Sequence, residues 1–405
     1  MKQISSNRKI HGRAFTTVFA LALLATACGV GDNSAVSDST ALGVTTTEES
    51  TASPSASQLP DTIKIAALSS ETGPLAFCGK GEQEGYELAI KEATESGRFA
   101  NTKFDLTVID DASTAAGGIA AFTRALDVHP SAIIGVCYGV VWAPIDPKVD
   151  ENKIPVIWSN VGAADAAKPE YAYRATLSQR SFAGHPAKIL ADRGIGSVGI
   201  VFTPESQTQV DLLAKVIKPA LESAGIEILF EEGVKADLQD FSAQIAIVKD
   251  RDPDAVVVLN TVAQAISLVS QLRQAGIDSP IYGHSGLATS AYTEALGSDA
   301  NGTITGTPFH RTFAFKSSVA FVELYRAQFG HDPDFTSAIG YDTMKILFAA
   351  IEAAGSAESE AIKVALDSLT SYDGAQGPLT FNADGETEGS GGVIEVVDGA
   401  YAFVK

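Results

Sequence analysis

The chain has 405 residues, 45% of them hydrophobic, and a formal net charge of −20. A surface this acidic is repelled by nucleic acid and by anionic lipid, which excludes both as partners of the folded part; the plainer reading of the charge is solubility. The length exceeds one ordinary core and implies more than one globular unit.

Lys2, Arg8, Lys9 and Arg13 form a basic start without an acid, and Ala14–Ala27 is a run of 14 apolar or small residues. A bilayer needs roughly 20 helical residues, so the run has the shape of a secretory signal. It ends Leu24-Ala25-Thr26-Ala27-Cys28. Small residues directly before a cysteine resemble the lipobox of bacterial lipoproteins, which implies cleavage before Cys28 and diacylation of its thiol. The other reading is an ordinary signal with an incidental cysteine. Losing the four basic residues of segment 1–27 takes the net charge from −20 to −24. Gly29–Pro60 holds 12 Ser or Thr, four acids, no Lys or Arg and no aromatic residue. Such a segment cannot bury enough apolar surface to offset its ordering entropy. Segment 28–60 is therefore read as a tether.

The folded part, Asp61–Lys405, spans 345 residues and contains no later run long enough to cross a membrane. Its pattern alternates strand and helix. Ile63–Leu68 is a strand, followed by a Gly-rich turn and a helix near Gln83–Ala93. Strand Phe104–Asp110, helix Thr114–Leu126 and the short strands Ala132–Val136 and Pro155–Trp158 follow. From about Gln179 the scheme restarts. Helices are predicted over Phe182–Arg193, Val210–Ala224, Phe241–Lys249 and Ala263–Ala275. They alternate with strands Ser197–Phe202, Glu227–Glu232, Ala255–Leu259 and Pro280–Gly283. Ser317–Phe329 and Phe335–Ala354 are helical, and Gly392–Val397 with Tyr401–Val404 forms a closing hairpin across Asp398-Gly399. Continuous apolar strands of about five residues indicate cover on both faces, and alternation with helices indicates parallel, doubly wound sheets. Two such runs predict two α/β lobes.

Three cysteines are present. With Cys28 lipidated, Cys78 and Cys137 remain as a pair in an oxidising compartment, which favours one disulfide; the other reading is two free buried thiols. Neither cysteine has metal-ligand spacing, so no zinc site is expected.

The segments Ile63-Lys-Ile-Ala-Ala-Leu, Thr72-Gly-Pro-Leu-Ala, Gly79 and Gly85-Tyr-Glu-Leu-Ala resemble the opening of type I periplasmic binding proteins, in the leucine/isoleucine/valine-binding family of ABC transporters. Asp110-Asp111, Ala132-Ile-Ile-Gly135, Ile154-Pro-Val-Ile157, Tyr173-Arg174-Ala, Asp240-Phe241, Ala255-Val-Val-Val258, Leu272-Arg-Gln-Ala-Gly276, Phe321-Val-Glu-Leu-Tyr325 and Gly340-Tyr341-Asp342 follow in the family's order. The resemblance covers essentially the whole folded part. It implies two Rossmann-like doubly wound lobes joined by three crossovers, with a ligand in the cleft and closure by a hinge. Lobe one is expected at 61–180 plus 312–382, and lobe two at 181–311 plus 383–405.

In open α/β sheets, ligands bind outside the carboxyl ends of strands. Here those ends are Ser69–Lys80, Cys137–Trp142, Trp158–Gly162, Phe202–Gln209, Asn260–Val262 and His284–Gly286. Amino-acid binders of the family hold the α-carboxylate with small hydroxyls and the α-ammonium with an acid. By ungapped alignment those positions are Gly139, Asn160, Gly162 and Ser285 here. Two hydroxyls have become glycine and the acid has become serine. A buried ammonium without an acid is costly by several kcal/mol, so a standard α-amino acid is not the expected ligand. Asn160, Gln207, Thr261, His284 and Ser285 suit a neutral polar or carboxylate ligand. Phe77, Tyr138 and Trp142 form an aromatic wall on one reading and pack the lobe on the other. Cys78 and Cys137 follow the first and third strands and would brace the pocket floor. Their loop of 59 residues makes the bond worth roughly 4 kcal/mol in the chain-entropy model.

Two enzyme patterns compete and fall short. Gly79-Lys80-Gly81 with Gly85 has the spacing G-x-G-x-x-x-G, one residue longer than a dinucleotide fingerprint. Gly283-His284-Ser285-Gly286-Leu287 lacks the closing glycine of a nucleophile elbow. His310 and His331 follow it in sequence, as a hydrolase would need, but neither sits in a recognisable motif; His129 and His185 lie near helix ends or loops. The expectation is a monomeric, lipid-anchored receptor of an ABC importer that captures a small polar solute of the branched-chain amino acid or amide-like class. It uses no enzyme chemistry and no cofactor, and its partners are permease subunits. The other readings are a sensor component of a signalling system and an extracellular hydrolase.

Overall fold

The computed structural model describes residues 59–99, 101–160, 169–382 and 387–404. The expected signal, Cys28, almost all of the tether and Gly162 lie outside the described residues. The first run comprises β1 (Thr62–Ser69), α1 (Ala76–Glu95), β2 (Lys103–Asp110), α2 (Ala115–Asp127), β3 (Ala132–Gly135), α3 (Gly139–Trp142), α4 (Asp146–Asn152), β4 (Val156–Trp158) and β5 (Ala172–Arg174). Its strands pair in parallel in the order β2-β1-β3-β4-β5. The central strand β3, Ala-Ile-Ile-Gly, is buried throughout, whereas the edge strand β2 is largely half-buried.

The second run comprises α5 (His185–Asp192), β6 (Ser197–Phe202), α6 (Gln207–Leu212), a π-turn (Leu213–Ile217), α7 (Lys218–Ser223), β7 (Glu227–Gly233), α8 (Ser242–Arg251), β8 (Ala255–Leu259), α9 (Val262–Gln274), β9 (Ile281–Gly283), α10 (Ser290–Leu296) and β10 (Thr303–Thr307). The order β7-β6-β8-β9-β10 repeats the winding of the first sheet. The helix expected over Val210–Ala224 is therefore continuous but starts earlier and carries a π-turn at its centre. Strand β10 was not anticipated: its threonines do not advertise a buried strand, yet all five residues are buried.

The chain then returns to the first sheet with α11 (Lys316–Phe329), α12 (Phe335–Ala354) and α13 (Ser359–Asp367). Helix α12 packs along α1. A small antiparallel sheet follows, formed by β11 (Ser371–Gly374), β12 (Gly377–Phe381) and β13 (Thr387–Glu388). Finally β14 (Gly392–Val397) and β15 (Ala400–Val404) add to β10 as an antiparallel hairpin. Its turn residues Asp398 and Gly399 have φ of 52° and 74°, the double positive φ of a type I′ turn. The chain thus crosses between the two large sheets three times. Among the described residues, no helix is long and apolar enough to cross a membrane.

Candidate functional site

A sheet ordered 2-1-3-4-5 has its winding reversal between the first and third strands, and the crevice outside their carboxyl ends is the natural ligand site. The two sheets have this point at β1/β3 and at β6/β8. The lobes meet nearby: a Cβ placed on Gly139, at the start of α3, would lie 3.5 Å from Thr208 Oγ1 on α6.

On the first lobe the backbone is strained at this point. Gly135 has φ of 100°, and a Cβ there would lie 2.2 Å from the Leu68 carbonyl oxygen. Val136 follows with φ of 67°; left-handed backbone is a genuine outlier for a β-branched residue and gathers at functional sites. Cys137 is next and is joined to Cys78 by a disulfide with a Cα–Cα distance of 6.3 Å. Both cysteines are fully buried. The bond ties the first turn of α1 to the end of β3. Phe77, Tyr138 and Asn160 surround it as half-buried side chains, and Asn160 Nδ2 approaches Cys78 Sγ at 4.0 Å. Trp142 is placed elsewhere. It is 3% exposed and lies in the lobe core with its ring centroid 4.4 Å from that of Trp158, so of its two readings packing is the one the structure displays.

Beneath the disulfide lies Glu82, which is fully buried. Ser159 Oγ donates to its carboxyl at 2.5 Å, and Tyr86 Oη donates at 3.3 Å. Burial pushes its pKa up to about 8, against the smaller lowering effect of these hydrogen bonds. The sequence reading missed Glu82 because it started the helix at Gln83. Once α1 is seen to begin at Ala76, the spacing of four from Cys78 places both on one helix face.

On the second lobe, Asn260 ends β8 and is fully buried. Its Nδ2 donates to Thr203 Oγ1 at 3.0 Å, and Thr203 donates to Gln264 Oε1 at 3.0 Å. The direction of these bonds leaves Asn260 Oδ1 as a buried acceptor without a partner among the described residues. Thr261, exposed, caps α9 through the Gln264 N–H. Gln207, also exposed, donates to Asp211 at 2.8 Å. His284 is consumed by its own turn. Its Nε2 lies 2.8 Å from the Asn260 carbonyl and its Nδ1 accepts from the Gly286 N–H at 3.1 Å. Those partners assign the Nε2–H tautomer, and burial lowers the pKa to about 4. The imidazole is therefore neutral, and both of its nitrogens are engaged by backbone rather than by the neighbouring Ser285. His310 bonds Thr312 and stacks on Phe403, while His331 pairs with Glu84.

The glycines of the Gly79-Lys80-Gly81…Gly85 run serve packing. A Cβ on Gly79 would lie 2.4 Å from the Ser70 carbonyl oxygen, and one on Gly85 would lie 2.3 Å from that of Ser337. They let α1 sit against the β1 loop and against α12.

The family model for periplasmic binding proteins matches residues 62–400. The leucine-, isoleucine-, valine-, threonine- and alanine-binding protein of Pseudomonas aeruginosa is 25% identical over 334 residues, which is 82% of this chain and 88% of that one. The branched-chain amino acid transporter substrate-binding protein of Streptococcus pneumoniae, solved with isoleucine, is 25% identical with a TM-score of 0.77, over 85% of this chain and 99% of that one. A solute-binding protein of an ABC transporter from R. palustris, solved with benzoate, shares the fold at 18% identity and a TM-score of 0.75, over 85% and 95% of the two chains. With its two like-wound sheets, three crossings and matched length, this chain belongs to the type I periplasmic binding proteins, in the leucine/isoleucine/valine-binding family.

Proposed function

We propose that this chain is the exported, lipid-anchored solute receptor of an ABC importer, and that it works by lobe closure without chemistry. The observation that carries the reading is the facing of the two winding reversals across Gly139 and Thr208, close enough that a Cβ on Gly139 would lie 3.5 Å from Thr208 Oγ1. A cleft so placed is shut by a small rotation, and a permease can read the closed form. The closing bodies are taken as 61–180 with 312–382 and 181–311 with 383–405. Cys28 holds the receptor at the membrane, and the receptor acts as a monomer.

The solute is a small organic molecule that carries a carboxylate or neutral polar head and no buried ammonium. Supporting this, Ser285 stands where amino-acid binders carry an acid, and the adjoining His284 is neutral. Asn260 Oδ1 offers one acceptor that a ligand N–H or O–H can meet. Phe77 and Tyr138 offer apolar cover. The relative solved with benzoate is a protein of this fold that takes a carboxylate with no ammonium.

A thermal-shift screen over amino acids, amides and aromatic acids tests the reading, since a ligand raises the melting temperature by mass action. Amides or ammonium-free carboxylates should give the largest shift; leucine, isoleucine or valine in first place would refute the solute class. The double variant Gly139→Ser, Ser285→Glu should gain affinity for an α-amino acid. The added serine fits, because its Cβ makes an ordinary contact with Thr208. If no solute in the screen shifts the wild-type protein, the receptor reading itself loses its support.

A further inference from the structure

The group formed by Cys78, Glu82 and Cys137 has a definite chemistry of its own. One ligand-type atom from each residue lies within 4.8 Å of the others, and all three residues are buried. The sequence spacing of the cysteines hides this, because the third member comes from one turn further along α1. Among the described residues, the groups within hydrogen-bond distance of Glu82 are neutral: Ser159, Tyr86 and the sulfur of Cys78 at 3.4 Å. A buried carboxyl beside two sulfurs, with only neutral partners, is what a cation would turn into a ligand set.

We infer that the reduced form of this chain holds one thiophilic divalent cation, Zn2+ or Co2+, on Cys78 Sγ, Cys137 Sγ and a Glu82 carboxylate oxygen. The distances suit it. Zinc–sulfur and zinc–oxygen bonds of about 2.3 and 2.0 Å in a tetrahedron put sulfur and oxygen about 3.5 Å apart, and Cys78 Sγ to Glu82 Oε1 is already 3.4 Å. Two metal-bound sulfurs stand about 3.8 Å apart, so they must separate by a little under ~2 Å from disulfide contact. The Asn160 side-chain amide lies beside the group, with Nδ2 4.0 Å from Cys78 Sγ. Disulfide and metal are mutually exclusive occupants of one place.

The steps balance. A small dithiol is the reductant: it passes two electrons and two protons to the two sulfurs and becomes a cyclic disulfide. The cation then displaces both thiol protons, which pass to solvent, and takes the Glu82 carboxylate as its third ligand. The site of M2+, two thiolates and one carboxylate has a net charge of −1.

The test uses the full chain, reduced by a dithiol that is then removed without air, and titrated with Co2+. The expected result is a thiolate-to-cobalt charge-transfer band that saturates at one Co2+ per chain, is absent from the disulfide form, and is bleached by Zn2+. Glu82→Gln should also weaken Co2+ at least about tenfold, the order lost on removing even an outer partner of a metal ligand. Cys78→Ser or Cys137→Ser should abolish the band. A reduced, folded chain with Cys78 and Cys137 both free and no band overturns the inference, and so does equal binding by Glu82→Gln. If reduction unfolds the chain, refolding on addition of Zn2+ supports the site, and failure to refold overturns it. No solute enters any arm, so the outcome is independent of the receptor reading.

Discussion

At the scale of the residue, Glu82 is the clearest case of burial setting chemistry. Its pKa is raised from 4.5 to about 8 chiefly by desolvation. The unfolded chain ionises this carboxyl near 4.5, while the folded chain keeps it protonated. The group's stability contribution is therefore full below pH 4.5 and is lost as pH rises through about 8, at roughly 1.4 kcal/mol per pH unit in between. Glu82→Gln, neutral at all pH, should flatten the melting temperature between pH 5 and 8, which calorimetry across that range would measure; an unchanged slope would assign the pH dependence to other groups. Asn260 is the matching residue of the second lobe. Asparagine at the end of an apolar strand is visible in the sequence. That its Nδ2 is occupied and its Oδ1 left open depends on Thr203, 57 residues away, and only the fold brings them together.

At the scale of the element, α1 against α12 shows why small residues were needed where the sequence suggested a nucleotide loop. The two helices approach so closely that a Cβ on Gly81 would lie 1.9 Å from Thr336 Oγ1, and one on Gly85 would lie 2.3 Å from the Ser337 carbonyl oxygen and 2.4 Å from the Tyr341 nitrogen. A side-chain hydroxyl can rotate away, whereas backbone cannot. Gly85→Ala should therefore destabilise more than Gly81→Ala, by about 1–3 kcal/mol as for other overpacked interiors, in urea unfolding. Equal costs would show that the seam yields as a whole. The strand β10 makes the converse point. Thr303, Thr305 and Thr307 are fully buried, and their hydroxyls are bonded to Tyr292, the Gly306 carbonyl and the Phe309 carbonyl. A buried polar strand is stable because each hydroxyl finds a partner: two of these acceptors lie within two residues of the hydroxyl they satisfy, and Tyr292 is supplied by α10.

At the scale of the whole molecule, the first and third crossings between lobes are tied to each other by Gln376 and Thr387. Gln376 donates through Nε2 to the Ala175 carbonyl at 2.9 Å and to Asp342 at 3.0 Å, and its Oε1 accepts from the Leu177 N–H at 3.2 Å. Asp342, buried on α12, also accepts from the N–H groups of Ala375 and Gln376. Thr387 donates its hydroxyl to the Thr176 carbonyl, and its own carbonyl accepts from the Ser178 N–H. A hinge that closes on a ligand needs such fixed points, because the rotation must be absorbed by few dihedrals. Gln376→Ala leaves a buried N–H and carbonyl without partners. It should cost about 1–3 kcal/mol and weaken solute affinity, measured by unfolding and by titration of the same sample. A stability loss with unchanged affinity would confine Gln376 to a structural part.

The alternation of apolar runs and amphipathic stretches determined by itself that this is a two-lobed, parallel α/β protein, since a strand covered on both faces must be apolar throughout and its crossover must be helical. Strands Ser197–Phe202 and Ala255–Leu259 and helix Phe335–Ala354 are legible to the residue for that reason. The general rule for open α/β sheets pointed to the carboxyl ends of the strands as the ligand side, and the ordered matches pointed to the family. What only the tertiary structure decided are the contacts between residues far apart in sequence: Glu82 under the Cys78–Cys137 bond, the turn that uses up His284, and the glycine seam between α1 and α12. Local pattern reports which face of an element is buried. It does not report which partner that face meets, and at a binding cleft the partner sets the charge, the tautomer and the open acceptor.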